Sequence, residues 1–307
     1  MCMTIDRVMW TFALSATLLG GCFAAEDETL DDTAQIEDEI IAPNGLSLNG
    51  ISLNGRSLNG VSLNGVSLNG RSLNGVSLNG TQLQGTKDGA PVNGASIVGS
   101  LWNATLSDGS AVQLRFDTAG PLAAPSADVW AYGVSMKSGS TWVPLCGSAA
   151  IKAVPVVGTF NNGVNVVGGG SYTYDATKLT LACRGAAIAK CVELGYKPWK
   201  KGHAGVNLRN HMVACTRMLR GDYCGDGRSF TVDGNQVNLY DLVGVQSDTN
   251  TWRMDAEWTV NGARCVRQSA PPRLATTAPS CYTSKVHALC GLVTDFALGA
   301  LVMNEVP

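Results

Sequence analysis

Eight cysteines lie between positions 146 and 290 of this 307-residue chain, and they constrain its fold more than any other feature. They are Cys146, Cys183, Cys191, Cys215, Cys224, Cys265, Cys281 and Cys290. None stands in the C-x2-C spacing of a zinc knuckle, so no metal site is expected, and nothing else in the sequence asks for a cofactor. In an oxidising compartment an even set closes into disulfides, here four, which would staple a compact body. The count alone leaves the pairing open.

The N-terminus supplies the compartment. Arg7 precedes an apolar run from Val8 to Leu19, too short for a permanent bilayer span. The run ends in Leu19-Gly20-Gly21-Cys22, the pattern of a bacterial lipobox. Small residues ahead of Cys22 fit a signal peptidase, and its thiol would carry the lipid that anchors the mature chain. Ordinary secretion with cleavage after Ala24 or Ala25 is the plainer alternative. Phe23 after the cysteine favours the outer membrane, on its periplasmic or cell-surface side. Residues 1–21 are therefore expected to be a lipoprotein signal peptide. Residues 22–45 carry eight acidic side chains and no basic one between Glu26 and Glu39, as a disordered tether would. The net charge of −2 argues against nucleic acid as a partner, although the body beyond the tether is mildly basic.

From Leu46 to Gly85 the chain runs as eight pentads, seven of them x-Ser-Leu-Asn-Gly and the last Thr81-Gln82-Leu83-Gln84-Gly85. A period of five matches neither a strand nor a helix. It suits a square coil with Leu inward and Asn-Gly at each corner, because both residues tolerate positive φ. Such a coil would resemble the pentapeptide-repeat β-helix. Arg56 and Arg71 then stand where an inward side chain is usual, and eight pentads make only two turns, fewer than stacked repeats need. The array is expected to be a stalk over residues 46–85, either a short β-solenoid or a flexible spacer.

Residues 86–307 have the pattern of an α+β domain, rich in short hairpins and stapled by disulfides. Turns are expected at Ser107–Ser110, Lys137–Ser140, Asp233-Gly234 and Asn261-Gly262. Trp252, Met254, Ala256 and Trp258 alternate as one buried strand face would. Helices are expected over Gly185–Leu194 and Leu208–Arg220, the second capped by Asn207 and ended by Gly221, with Leu208, Met212, Cys215 and Leu219 as its buried stripe. If the two helices form an antiparallel hairpin, Cys183 faces Cys224 and Cys191 faces Cys215. Cys146, Cys265, Cys281 and Cys290 would then pair among themselves.

The segments "CRGAAIAKCVELGYKPW", "HMVACTRMLRGDYCGDG", "VNLYD" and "AEWTVNGARC" resemble the ADYC-domain family of bacterial, largely myxobacterial, exported proteins. In the name motif this chain has Gly221-Asp222-Tyr223-Cys224, with Gly where the family has Ala. The resemblance implies an architecture and an exported context, and no activity.

Candidate chemistry is sparse. His203, His211 and His287 are the only histidines, and no H-E-x-x-H or G-x-S-x-G elbow occurs. His211 lies beside the apolar stripe and suits a core position. Gly168-Gly169-Gly170 lacks the Lys-Ser/Thr of a phosphate loop and reads as a flexible turn. Asp222, Asp226, Asp233 and Asp241 stand at turns without calcium-loop spacing. Lys197, Trp199, Lys200 and Lys201 make a basic, aromatic-edged loop, with Arg209, Arg217, Arg220 and Arg228 beyond it. That loop would suit an anionic glycan or another envelope partner; the plainer account is a solvated helical face. The overall expectation is an exported envelope lipoprotein with a non-enzymatic binding or structural role. The rival is a secreted hydrolase using His203 or His211 with a carboxylate such as Asp222, which requires hydrogen-bond contact between them. An adhesin acting through the stalk is a third reading.

Overall fold

The computed structural model describes residues 52–53, 56–57, 61–64, 73–87, 90–105, 111–161, 166–176, 178–231, 234–269, 273 and 278–307. The expected signal peptide, Cys22 and the acidic tether lie outside these residues, as does much of the pentad array. No helix among the described residues is long and apolar enough to cross a membrane.

In chain order the strands begin with β1 (Ser52–Leu53), β2 (Arg56–Ser57), β3 (Val61–Asn64), β4 (Leu73–Asn79), β5 (Gln82–Lys87) and β6 (Ala90–Asn93). Next come β7 (Leu101–Thr105), β8 (Ala111–Pro121), β9 (Trp130–Ser138), β10 (Thr141–Pro144) and β11 (Ala153–Val157). The short pair β12 (Thr159–Phe160) and β13 (Tyr172–Thr173) precedes β14 (Lys178–Cys183). Helices α1 (Ala187–Glu193) and α2 (Arg209–Arg220) follow. The chain ends with β15 (Asn238–Tyr240), β16 (Arg253–Thr259), β17 (Gly262–Val266) and β18 (Val302–Val306).

Most of the expected stalk lies outside the described residues; its last pentads form strands. β4 and β5 pair antiparallel, with Leu78 opposite Leu83, across a turn at Gly80 and Thr81. Gly80 takes φ +58, so Asn-Gly does turn the chain, but into a hairpin. β6 completes this three-stranded sheet, and β3 is hydrogen-bonded between β14 and β7. Leu83 is buried, its N–H donates to Tyr132 Oη at 2.9 Å, and buried Thr81 accepts the Trp130 N–H at 2.6 Å. Leu78 and Leu83 of the last pentads thus pack with residues of the domain that follows.

One core lies against the large sheet formed by β3, β7–β11 and β14. The expected hairpins β7–β8 and β9–β10 are present, and β8 pairs along β9. Their inward aromatics meet there: Trp102 lies 4.5 Å from Phe116, which meets Tyr132 edge-on at 5.8 Å. Leu83 and Ile97 pack into the same cluster.

A second core surrounds α1 and α2 and the four-stranded sheet ordered β15-β18-β16-β17. The β16–β17 hairpin turns at Asn261-Gly262 as its sequence requires, with Gly262 at φ +101. Asp233 lies outside the described residues; among the described residues no strand pairs across Gly234, and β15 pairs with the C-terminal β18. β16 also differs from expectation, since Asp255 and Glu257 are as fully buried as Ala256 and Trp258. A bulge between Met254 and Ala256 and cover on both faces remove the expected solvent side.

All eight cysteines are paired, as Cys146–Cys183, Cys191–Cys215, Cys224–Cys281 and Cys265–Cys290. The Cys191–Cys215 bridge joins the two helices at a Cα separation of 5.9 Å, as antiparallel facing demands. The expected Cys183–Cys224 pair does not form. Cys183 ends β14, a strand, and bonds Cys146 after β10. Cys224 lies beyond Gly221, whose left-handed φ of +61 ends α2 and turns the chain away from α1. Facing positions cannot be extrapolated past either helix end.

Candidate functional site

The histidines stand apart. His211 is buried on α2, where its ring stacks on Tyr196 with centroids 6.3 Å apart and planes 10° from parallel. Burial pushes its pKa down, against the opposing pull of the Asp241 charge, and Nδ1 has no hydrogen-bond partner. Asp241 is already engaged. It accepts the Tyr196 hydroxyl at 2.7 Å and the N–H groups of Val243, Val245 and Gln246, so it fastens a turn. His203 is exposed in the loop between the helices, packed against Gly244, and His287 is exposed with Nδ1 accepting the Leu289 N–H. Among the described residues no histidine hydrogen-bonds a carboxylate.

Among the described residues Asp222 hydrogen-bonds no histidine and serves a buried ion pair. Arg217 Nη1 donates to Asp222 Oδ2 and to the Gly169 carbonyl, while Asp222 also accepts the N–H groups of Asp226 and Gly227. Burial raises the Asp222 pKa even against Arg217. The glycine run is not a loose turn. Gly170, at φ +71, leaves no room for a Cβ, which would lie 2.5 Å from Arg217 Nη1. Arg220 is also buried, donates to the Gly227 carbonyl, and has its pKa lowered by burial to about 10. Neither arginine belongs to a solvated face.

The neighbouring motif residues are structural in the same sense. Tyr223 donates to Asp255 Oδ1 at 2.9 Å, and Cys224 carries a bridge. Asp226 accepts the Arg228 N–H, so turn chemistry accounts for it as well. Glu257, Cys265 and Cys290 bring three ligand-type atoms within 4.8 Å of one another. The two sulfurs are bonded to each other and Glu257 accepts from Arg264 and the Gly291 N–H, so the group is not a metal site.

The basic, aromatic loop divides. Lys197 is buried and donates to Asp128 Oδ1 at 2.6 Å, with Lys200 3.3 Å from the other oxygen. Burial works to raise the Asp128 pKa, but the two lysines outweigh it and hold the carboxyl below its usual value. Lys201 is exposed, its backbone bridged to Asn207. Trp199 alone of the four lines a cavity, of about 360 Å³.

That groove unites segments far apart in the chain. Ser77, Leu78 and Gly80 of the pentad hairpin line it together with Trp199, Tyr174 and Arg209. A Cβ on Gly80 would lie 3.1 Å from Trp199 Nε1, so only glycine lets the turn approach the indole. Tyr174 follows β13 and is half exposed; the Arg209 guanidinium lies 3.6 Å from its ring centroid. Arg209 opens α2, where Asn207 Oδ1 accepts its N–H at 2.8 Å, and its Nε has no hydrogen-bond partner. Among the described residues no carboxylate lines the groove, and Lys178 adds a second cation, 3.3 Å from Asp175. The sequence marked Trp199 and Arg209 as basic-aromatic; Tyr174 and the pentad turn carried no signal that they would join them.

Residues 94–272, more than half of the chain, match the family model of the ADYC domain. No curated protein and no solved structure matches.

Proposed function

This chain belongs to the ADYC-domain family, and on that premise we propose that it is an exported, lipid-anchored module of the cell envelope that binds a ligand without turning it over. The observation that carries the reading is the groove between the pentad hairpin and Trp199, an aromatic-floored concavity with a fixed cation and no acid. Four disulfides are compatible with folding outside the cytoplasm. A lipidated Cys22 and an acidic tether would hold the body away from the outer membrane, on the periplasmic or cell-surface side. The carboxylates nearest the rival hydrolase reading, Asp222 and Asp241, are committed to Arg217 and to a turn.

The test is retention of the mature protein on isolated envelope fractions, compared with Trp199→Ala. A loss of retention of tenfold or more is expected, with no soluble fragment released. Retention untouched by Trp199→Ala overturns the groove as the binding site. Fragment release that disappears in His203→Ala or His211→Ala replaces the binding module with the hydrolase.

A further inference from the structure

The groove's chemistry specifies its ligand more narrowly than a general envelope partner. Resting on the reading of this groove as a ligand site, we infer that it takes an acidic sugar unit, with the ring on Trp199 and the anionic substituent on Arg209. Three features of the site converge on that class.

The first is shape and surface. Trp199 is half-buried and packs against the pentad turn, where a Cβ on Gly80 would lie 3.1 Å from its Nε1. A side chain held this way offers a flat apolar platform without further loss of rotamer freedom on binding. A pyranose ring has one C–H face that packs on such a platform and an edge of hydroxyls that needs polar neighbours. Ser77, the Tyr174 phenol and the turn backbone line the groove beside the indole and provide them. A cavity of about 360 Å³ lies at the small end of the range of ligand pockets, which fits a short saccharide.

The second is charge. Arg209 has no ion-pair partner among the described residues, and its guanidinium is spread over the Tyr174 ring at 3.6 Å. Stacking fixes the plane of the fork, and a planar fork recognises carboxylate or phosphate with two parallel hydrogen bonds. Among the described residues that line the groove none is acidic, and the nearby Asp175 carboxylate is paired with Lys178.

The third is the contrast with the lysines next door. Lys197 and Lys200 are turned to Asp128, so the loop's charge does not form a diffuse basic patch of the kind that holds any polyanion. Of the two cations that line the groove, Lys178 is paired with Asp175 and Arg209 lies over the Tyr174 ring. An anionic bilayer would meet a surface, whereas this feature is a concavity.

Titration calorimetry of the mature protein tests the inference, using the trimer of galacturonic acid, the corresponding neutral galactose trimer, inorganic phosphate and vesicles of anionic phospholipid. The acidic trimer is expected to bind at least tenfold more tightly than the neutral one. Arg209→Gln and Trp199→Ala should each weaken it tenfold or more, while Lys137→Gln, on the exposed β9–β10 hairpin, leaves it unchanged. Melting curves establish that each variant is folded. Equal affinity for both trimers, or loss of binding in Lys137→Gln as large as in Arg209→Gln, overturns the inference. So does binding of phosphate or vesicles alone with no response to the acidic trimer. If envelope retention depends on Trp199 while the acidic trimer gives no heat, the sugar assignment falls and the binding module stands.

Discussion

Tyr223 donates its phenolic O–H to Asp255 Oδ1 at 2.9 Å, with both side chains fully buried. The other carboxylate oxygen accepts Arg273 Nε at 2.8 Å and Asn304 Nδ2 at 3.1 Å, and Asn304 in turn accepts the Trp258 indole N–H. A buried ion pair is tolerated only when its remaining valences are filled, which is what Tyr223 and Asn304 do here. Asp255→Ala strands Arg273 in the core and should cost roughly 3–5 kcal/mol. Tyr223→Phe leaves one carboxylate oxygen unsatisfied and should cost about 1–3 kcal/mol. Urea unfolding ranks the two; a Tyr223→Phe protein less stable than Asp255→Ala would contradict this account of the pair.

Gly221 explains how the chain gets from α2 to Asp222. At φ +61 an L side chain is strained, and a Cβ there would lie 2.9 Å from the Phe230 carbonyl oxygen. Gly221→Ala should therefore cost about 1–2 kcal/mol from the left-handed conformation alone. Gly221→Asn should cost less, because Asn occupies that region more readily. The shift in urea midpoint at unchanged slope is the readout. A Gly221→Ala variant as stable as the parent chain would mean that the cap is not left-handed in solution.

Much of the architecture was legible from local pattern, and the rest was lost for one physical reason. Asn261-Gly262 specifies its own hairpin, and Cys191 finds Cys215 because both face across a helix pair. Each of those signals is carried by residues near one another in sequence or on one face. Arg217 looked like a helix-end charge because two of its three acceptors, the carbonyls of Gly169 and Val260, lie more than forty residues away on either side, and only Asp222 is near it in sequence. Asp255 and Glu257 looked solvent-facing because period-two alternation assumes an open sheet face, which Arg273 and Arg264 close. The candidate groove was half visible. Trp199 stood out within a basic run, but the turn at Gly80 that fixes it belongs to a repeat whose period gave no hint of a hairpin.

His211 makes stability depend on pH in a direction that can be worked out. Burial lowers its pKa in the folded protein below the ordinary 6.5, with Asp241 opposing that shift. The unfolded chain then binds the proton first, so the contribution of neutral His211 is complete above about 6.5 and is lost as pH falls toward the folded value. His211→Phe keeps a ring on Tyr196 and removes the titration. The wild type should lose more stability than this variant between pH 7 and pH 5, measured by urea unfolding at each pH. Parallel losses would show that the imidazole is solvated rather than buried.

The bridge map divides this fold from the simplest helical-hairpin arrangement. Digestion without reduction should yield peptides joining Cys146 to Cys183, Cys191 to Cys215, Cys224 to Cys281 and Cys265 to Cys290. Paired Cys→Ala substitution of Cys191 and Cys215 removes a span of 24 residues, and that of Cys224 and Cys281 a span of 57. Each loss should lie in the range of roughly 2–4 kcal/mol, the longer loop costing more by under about 1 kcal/mol through denatured-state entropy. The Cys224–Cys281 pair also draws the segment around buried Tyr282 onto Tyr223, so its removal should loosen that aromatic contact and speed amide exchange in β17. A peptide joining Cys183 to Cys224 would require Gly221 to continue α2, and the buried Asp222–Arg217 pair could not form.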